Sequence, residues 1–180
     1  MTAPQPTTVR RVRADEWERV RDLRLEALRD PAAPIAFLDT SAHAAVQPAS
    51  FWIGRTTAAA TERTVAQFVA ERGGEWVGSV TVIVRPAGAP DHLGRPVEAR
   101  RADAVGVYVR PDSRGDGTID RLFAAVLEWA RGAHVPTLSL DVHVDNLRAQ
   151  GAYRRVGFRS TGEVSAGPIG DELRMARAVS

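Results

Sequence analysis

The chain of 180 residues contains neither cysteine nor lysine. The first absence removes disulfides, thiolate metal sites and cysteine nucleophiles, and makes a reducing compartment easy to accept. The second leaves arginine to carry all the positive side-chain charge, 24 basic residues against 22 acidic ones for a formal net charge of +2. An isoelectric point near 9.9 therefore reflects guanidinium groups that never titrate near neutrality. These arginines are spread among acidic residues, with no basic block and no interleaved aromatics, so they give no nucleic-acid signature. No run approaches the roughly 20 apolar residues of a membrane span. The segment from Met1 to Thr8 has neither the basic nor the apolar part of a signal peptide. A cytoplasmic protein with no membrane or nucleic-acid partner is the expectation. His43, His92, His134 and His143 lack metal-ligand spacing, no Ser/His/Asp set stands out, and no metal is expected.

The composition, 44% apolar and 26% charged, is that of a soluble globular protein long enough to bury one good core. We read residues 1–180 as one domain with a loose tail over residues 1–6. Residues 9–13 read as a short strand. Asp15 and Glu18 have capping-box spacing, and Trp17, Val20, Leu23 and Ala27 form a helical stripe that should end before Pro31. Residues 30–48 read as irregular, anchored by Phe37 and Leu38. A helix over 49–61 carries Phe51 and Trp52. Strands at 64–71 and 76–84 meet across Gly73-Gly74, a hairpin signal. The Pro/Gly-rich segment 86–96 reads as a mobile loop. A strand over 101–109, a helix over 117–132 with Leu122, Val126 and Trp129 on one face, and a strand over 137–144 follow. A short helix ending at Gly157 and a strand pair at 158–164 and 172–179 close the chain. Helices after the fourth and fifth strands argue for α/β organisation, with hairpins adding antiparallel pairs.

Two motifs carry chemistry. In the first, the strand ending Val107-Tyr108-Val109 runs into Arg114-Gly115-Asp116-Gly117-Thr118-Ile119 and opens a helix. Bare amides at a helix N-terminus suit a phosphate or pyrophosphate. In the second, Asn146, Ala149 and Tyr153 fall on one helix face, with Asn146 as N-cap and Gly157 as the stop. Taken separately, each also reads as ordinary structure: a glycine turn, a cap, a half-buried aromatic. In this order the two resemble the GNAT superfamily of acyl-CoA N-acyltransferases. The resemblance covers nearly the whole chain and is most specific between residues 105 and 158.

That resemblance implies a mixed α+β fold, a strongly twisted seven-stranded sheet with helices on both faces. It implies acetyl-CoA as cosubstrate, bound along Val107, Tyr108 and Val109, with its pyrophosphate on the backbone N–H groups from Arg114 to Ile119. Asn146 would bond the pantetheine arm, Ala149 would leave room for it, and Tyr153 would protonate the departing thiolate. Two departures stand out: Ile119 replaces the usual Gly or Ala, and Asp116 puts a carboxylate near a doubly charged ligand, a repulsion of about 1 kcal/mol at 4 Å in water. An alkyl ammonium is about one part in a few thousand neutral at pH 7, a deficit of roughly 4–5 kcal/mol, so a base is useful. Asp103, on the strand face shared with Val105, Val107 and Val109, is the first candidate, with Glu98 and His143 in reserve. The acceptor, a small-molecule or peptide amine, should meet residues 30–48, Trp52 and the 165–169 turn. A homodimer would be common for the family. The other reading is an inactive module of the same fold that senses CoA or binds a protein; a P-loop is disfavoured because Gly-Asp-Gly-Thr lacks its lysine.

Overall fold

A computed structural model describes residues 5–180. Residues 1–4 of the tail read at 1–6 lie outside the described residues. The elements are β1 (Thr8–Arg11), α1 (Trp17–Ala27), α2 (Ser41–Ala45), α3 (Ala49–Thr61), β2 (Val65–Arg72), β3 (Glu75–Arg85), β4 (Arg101–Val109), α4 (Thr118–Gly132), β5 (Thr137–His143), α5 (Leu147–Arg155), β6 (Arg159–Gly167) and β7 (Gly170–Ala178). The strands form one seven-stranded sheet in the order β1-β2-β3-β4-β5-β7-β6. Only β4 and β5 run parallel, joined by the crossover helix α4; the other neighbours are antiparallel.

Alternation along the strands divides the core in two. One face presents Ala66, Phe68, Val80, Val82, Leu138, Leu140 and Val142 to Leu122, Phe123 and Val126 of α4. Leu122 is fully buried there, a contribution of roughly 1.5–3 kcal/mol. The opposite face presents Val69, Trp76 and Tyr108 to Val20, Leu23 and Ala27 of α1 and to Trp52 and Ala59 of α3. The fold is thus the mixed α+β sheet with helices on both faces that the resemblance implied.

Several local expectations change. The Asp15/Glu18 capping box does not form, because α1 starts at Trp17 and makes Glu16 the flanking residue. The Glu16 carboxylate instead accepts from the Arg13 N–H at 2.9 Å and from the Arg10 guanidinium. Phe37 is buried, but Leu38 is 47% exposed and anchors nothing in the core. The segment read as a mobile loop is tied down by Asp91, which accepts from the Leu93 and Arg95 N–H groups and from the Arg95 and Arg174 guanidiniums. Burial alone would raise the Asp91 pKa; those donors reverse the sign and hold it well below the carboxylate range. The last two strands run into the expected turn and pair up to Gly167 and Gly170.

The feature that shapes the site is in β4. Its ladder with β3 pairs Val105 with Thr81 and Tyr108 with Ser79, so Gly106 and Val107 together oppose Val80. Gly106 takes φ +62°, which a bulge of this kind requires of its first residue. The extra residue flips the alternation. Val107 and Val109 pack toward α4, while Asp103 pairs across from Ile83 on the other face. The single shared face expected for Asp103, Val107 and Val109 is therefore broken at Gly106.

Candidate active site

β4 and β5 are paired only at Ala102–Leu138 and Asp103–Ser139. Beyond those residues β5 stays with β7 over its full length, and the bulged β4 departs from it. The parting opens a cleft of about 910 Å³ whose walls include side chains from both faces of the sheet. Arg110 donates to Val77 O at 2.8 Å on the β3 side. By strand alternation the Val109 N–H then points to the β5 side, where no strand remains to accept it.

On the α4/α5 side the wall includes Val107, Val109, Gly115, Ile119, Asn146, Ala149, Ala152 and Tyr153. Asn146 caps α5 by accepting from the Ala149 N–H at 3.2 Å. Gly157 ends the helix at φ +92°, with Phe158 N–H bonded to Tyr153 O at 3.0 Å. That turn folds Phe158 back against Tyr153, and Phe123 meets both rings edge-on. The Tyr153 hydroxyl has no hydrogen-bond partner among the described residues, yet Tyr153 lines the cleft. Burial pushes its pKa above the ordinary phenol value, with Arg148 pulling weakly the other way. The phenol is protonated throughout the physiological range.

The turn before α4 differs from the sequence reading in detail. Asp116 accepts from Thr118 N at 2.9 Å and Thr118 Oγ1 at 2.6 Å, and is ion-paired with Arg72. Thr118 N–H is therefore spent on this Asx turn, and Asp116, Gly117 and Thr118 lie outside the cleft wall. The Asp116 charge is matched by Arg72. The Arg114 side chain bonds Val109 O and pairs with Asp30, fastening the turn to the end of β4 and the end of α1's connection. Arg114, Gly115 and Ile119 are the turn residues that reach the cleft, and no acceptor takes the Gly115 or Ile119 N–H among the described residues. A Cβ at Gly115 would meet nothing within 4 Å. Tyr108 lines the cleft but sends its hydroxyl to Glu26 at 3.1 Å; burial and that carboxylate push its pKa up to about 12.

On the other face, Asp103 accepts from Arg85 Nε at 3.1 Å through one oxygen and from Arg101 Nε at 2.7 Å through the other. Both carboxylate oxygens are thus already taken by guanidinium donors, so the geometry does not favour Asp103 as the base. Glu98 is exposed and away from the cleft. His143 lines it, but Nδ1 already accepts from the Asp145 N–H at 3.1 Å, which leaves Nε2 carrying the proton in the neutral ring. Trp52 is buried beneath α1 and does not line the cleft, nor does the 165–169 segment; residues 32–33 and 35–39 do.

Sequence reasoning missed His92 and Glu172. His92 reaches from the pinned loop to Glu172 Oε2 at 3.1 Å and Asp141 Oδ2 at 3.4 Å. The bond to Glu172 raises the His92 pKa, against a smaller opposing effect of burial. Glu172 is buried on β7, lines the cleft, and has Oε1 unpartnered among the described residues. Neither lies near a motif, and nothing short of the β5–β7 register, which sets Glu172 opposite His143, would have found them. Among the described residues no group of three or more His, Asp or Glu side chains could hold a metal ion, and no helix is long and apolar enough to cross a membrane.

A sequence profile described as "Acetyltransferase (GNAT) family" matches residues 17–158. The chain belongs to the GNAT acetyltransferase family. Solved GNAT structures share its fold. An acetyltransferase of the family from Streptococcus pneumoniae superposes with TM-score 0.77 at 13% identity, covering 97% of this chain and 100% of its own. A putative acetyltransferase from Salmonella typhimurium, solved with acetyl-CoA, gives 0.72 at 15% identity over 97% and 95%. A phosphinothricin acetyltransferase from Sinorhizobium meliloti, also with acetyl-CoA, gives 0.70 at 16% over 96% and 88%. No curated protein sequence matches significantly. In this GNAT chain both motifs, the turn before α4 and the Asn146–Tyr153 helix, fall inside the matched residues.

Proposed function

We propose that the protein transfers an acetyl group from acetyl-CoA to a primary amine by direct attack within a ternary complex. The observation that carries this reading is the gap between β4 and β5, walled by Tyr153 on one face of the sheet and by Glu172 on the other. Its α4/α5 side fits the cosubstrate: Gly115 leaves open space, the Gly115 and Ile119 amides around the start of α4 lack acceptors, and Ala149 and Ala152 are small. Gly115 and Ile119 would meet the pyrophosphate through their N–H groups at the positive end of α4. Asn146 would hold the pantetheine arm through its free side-chain amide. Acetyl-CoA supplies the acetyl group as a thioester already activated toward attack.

The protein's own groups then manage charge. Glu172 accepts the ammonium proton through an intervening water, its other oxygen held by His92. The amine lone pair forms the C–N bond, and the Val109 N–H stabilises the oxyanion that develops on the carbonyl. As the C–S bond breaks, sulfur leaves with the electron pair and takes the Tyr153 proton. The second proton lost by nitrogen restores the phenol through solvent. One ammonium and one thioester thus yield an amide, a thiol and a proton.

Tyr153→Phe removes a hydroxyl that bonds nothing in the protein, so the fold should be unaffected. The expected result is a fall in kcat of about 100-fold or more, the scale of a lost general acid, with calorimetric affinity for acetyl-CoA nearly unchanged. An unchanged kcat would take Tyr153 out of the mechanism. Acetyl-CoA binding with no thiol release for any amine would instead support the inactive-module reading.

A further inference from the structure

The acceptor side of the cleft carries two guanidiniums that the fold leaves under-neutralised. Arg24 of α1 lies over the Phe37 ring at 4.5 Å, and its Nε is buried without an acceptor. The counter-charge it feels is Asp39, 4.0 Å away. Asp39 is already engaged by His43 Nδ1 at 2.7 Å and by the Thr40 N–H at 2.8 Å. Arg55 of α3 lines the same wall, open to solvent, with Asp39 again its source of opposite charge. Burial and then the nearby Arg55 lower the Arg24 pKa to about 10, so the two cations oppose each other. The other β-sheet and turn arginines in the cleft are treated differently: Arg85 has Asp103 and Arg114 has Asp30. Arg148 and Arg155 also line the cleft from α5, and Arg148 lies near enough to Asp30 to share its charge.

Position tells what the pair could meet. Arg24 Nη1 lies 4.0 Å from where a Cβ on Gly106 would stand, directly over the β4 bulge. That is the face from which an amine would reach a thioester lying along β4. A ligand group between Arg24 and Arg55 would therefore be only a few bonds from the reacting nitrogen. The opposite wall of the same half carries the buried Glu172 carboxylate, held by His92, while Asp141 beside it is paired with Arg174. Cationic and anionic walls facing one chamber suit a molecule that bears both charges.

Building on the acetyl-transfer reading, we propose that Arg24 and Arg55 form an anion subsite that selects small acceptors carrying a carboxylate or phosphorus oxyanion close to the amine. Arginine suits this task because its planar fork binds a carboxylate or phosphonate through paired N–H donors. Polyamines and protein N-termini, which lack that anion, would be poor acceptors.

The test measures thiol release from acetyl-CoA with free amino acids, their matching carboxamides, 2-aminoethylphosphonate, 2-aminoethanol and spermidine. In parallel, the best acid and its carboxamide are titrated calorimetrically into the CoA-saturated protein, which needs no turnover. The expectation is that acids exceed their carboxamides in kcat/KM by about tenfold or more, the scale of losing a charge-assisted bond. Arg24→Gln and the solvent-exposed Arg55→Gln should each erase most of that ratio, with the KM for acetyl-CoA within about twofold of the parent. Equal use of acids and carboxamides, or faster use of spermidine, overturns the subsite while leaving acetyl transfer intact. A raised KM for acetyl-CoA in both variants, with the acid preference kept, also overturns it and assigns the pair to the cosubstrate. Acid-selective calorimetric binding that Arg55→Gln abolishes, without turnover of any amine, supports the subsite and rejects the transfer reading. No acid-selective binding and no turnover overturns both.

Discussion

Asp116 offers a clean separation of two roles that one carboxylate plays. Its Oδ1 accepts from both the N–H and the hydroxyl of Thr118, and its Oδ2 pairs with Arg72. Asp116→Ala deletes the Asx turn that leads into α4 and the ion pair together. The lost bond to the Thr118 N–H costs about 1 kcal/mol, the Thr118 hydroxyl bond adds about 1, and a pair whose side chains are 30% and 32% exposed adds at most a few tenths. The sum is about 2 kcal/mol, or a fall in Tm of about 4–8 °C for a chain of this size. Asp116→Asn keeps an oxygen for Thr118 and loses the charge alone, so its Tm should drop by about 1–2 °C. Asn should also tighten acetyl-CoA binding by a few-fold at low salt, since Arg72 is then left unopposed beside the pyrophosphate turn. That gain should fade as the Debye length shortens toward about 8 Å at 0.15 M salt. Thermal unfolding of both variants, with calorimetric titration at two salt concentrations, reads all of this. Equal Tm losses in Ala and Asn would refute the turn argument. An Asn variant that binds acetyl-CoA more weakly would refute the charge argument.

Phe123→Ala should cost about 3–5 kcal/mol, since the ring is 1% exposed and packs against Tyr153 and Phe158; chemical denaturation checks this, and a loss under about 1 kcal/mol would contradict the packing. The same variant, assayed well below its Tm, should lose kcat through a loosened Tyr153. The His92 pKa is raised in the folded protein, so its link to Glu172 contributes stability that is fully present below the ordinary histidine value of about 6.5 and is lost as pH rises through the raised value. The stability gap between the parent and His92→Gln should therefore be largest near about pH 5.5 and shrink by about pH 9; a gap that grows with pH would show the sign to be wrong.

How much of this was legible in the chain depends on the range of the force involved. Residues 49–61, 101–109 and 118–132 announced their structure through local periodicity, and the observed bounds fall within a residue of the reading. Asn146 and Gly157 announced the start and stop of α5 because capping chemistry acts over three or four residues. The helix order and the two motifs likewise pointed to the GNAT fold before any contact was known. The single-face placement of Asp103 failed because one glycine in the left-handed region re-phased β4, and strand alternation alone gives no sign of a bulge. Asp116 looked like a liability to an anion, and only Arg72, 44 positions away in sequence, matches its charge. His92, Glu172, Arg24 and Arg55 carry no motif at all. Their meeting around one cleft follows from the sheet order, which folds β7 between β5 and β6 and lays α1 and α3 over the parting strands. Local sequence thus determined the elements and the cosubstrate motifs, because helix periods and caps are near-neighbour effects. The charge pattern of the acceptor half was decided by tertiary structure, because it depends on pairing between residues that the chain itself keeps far apart.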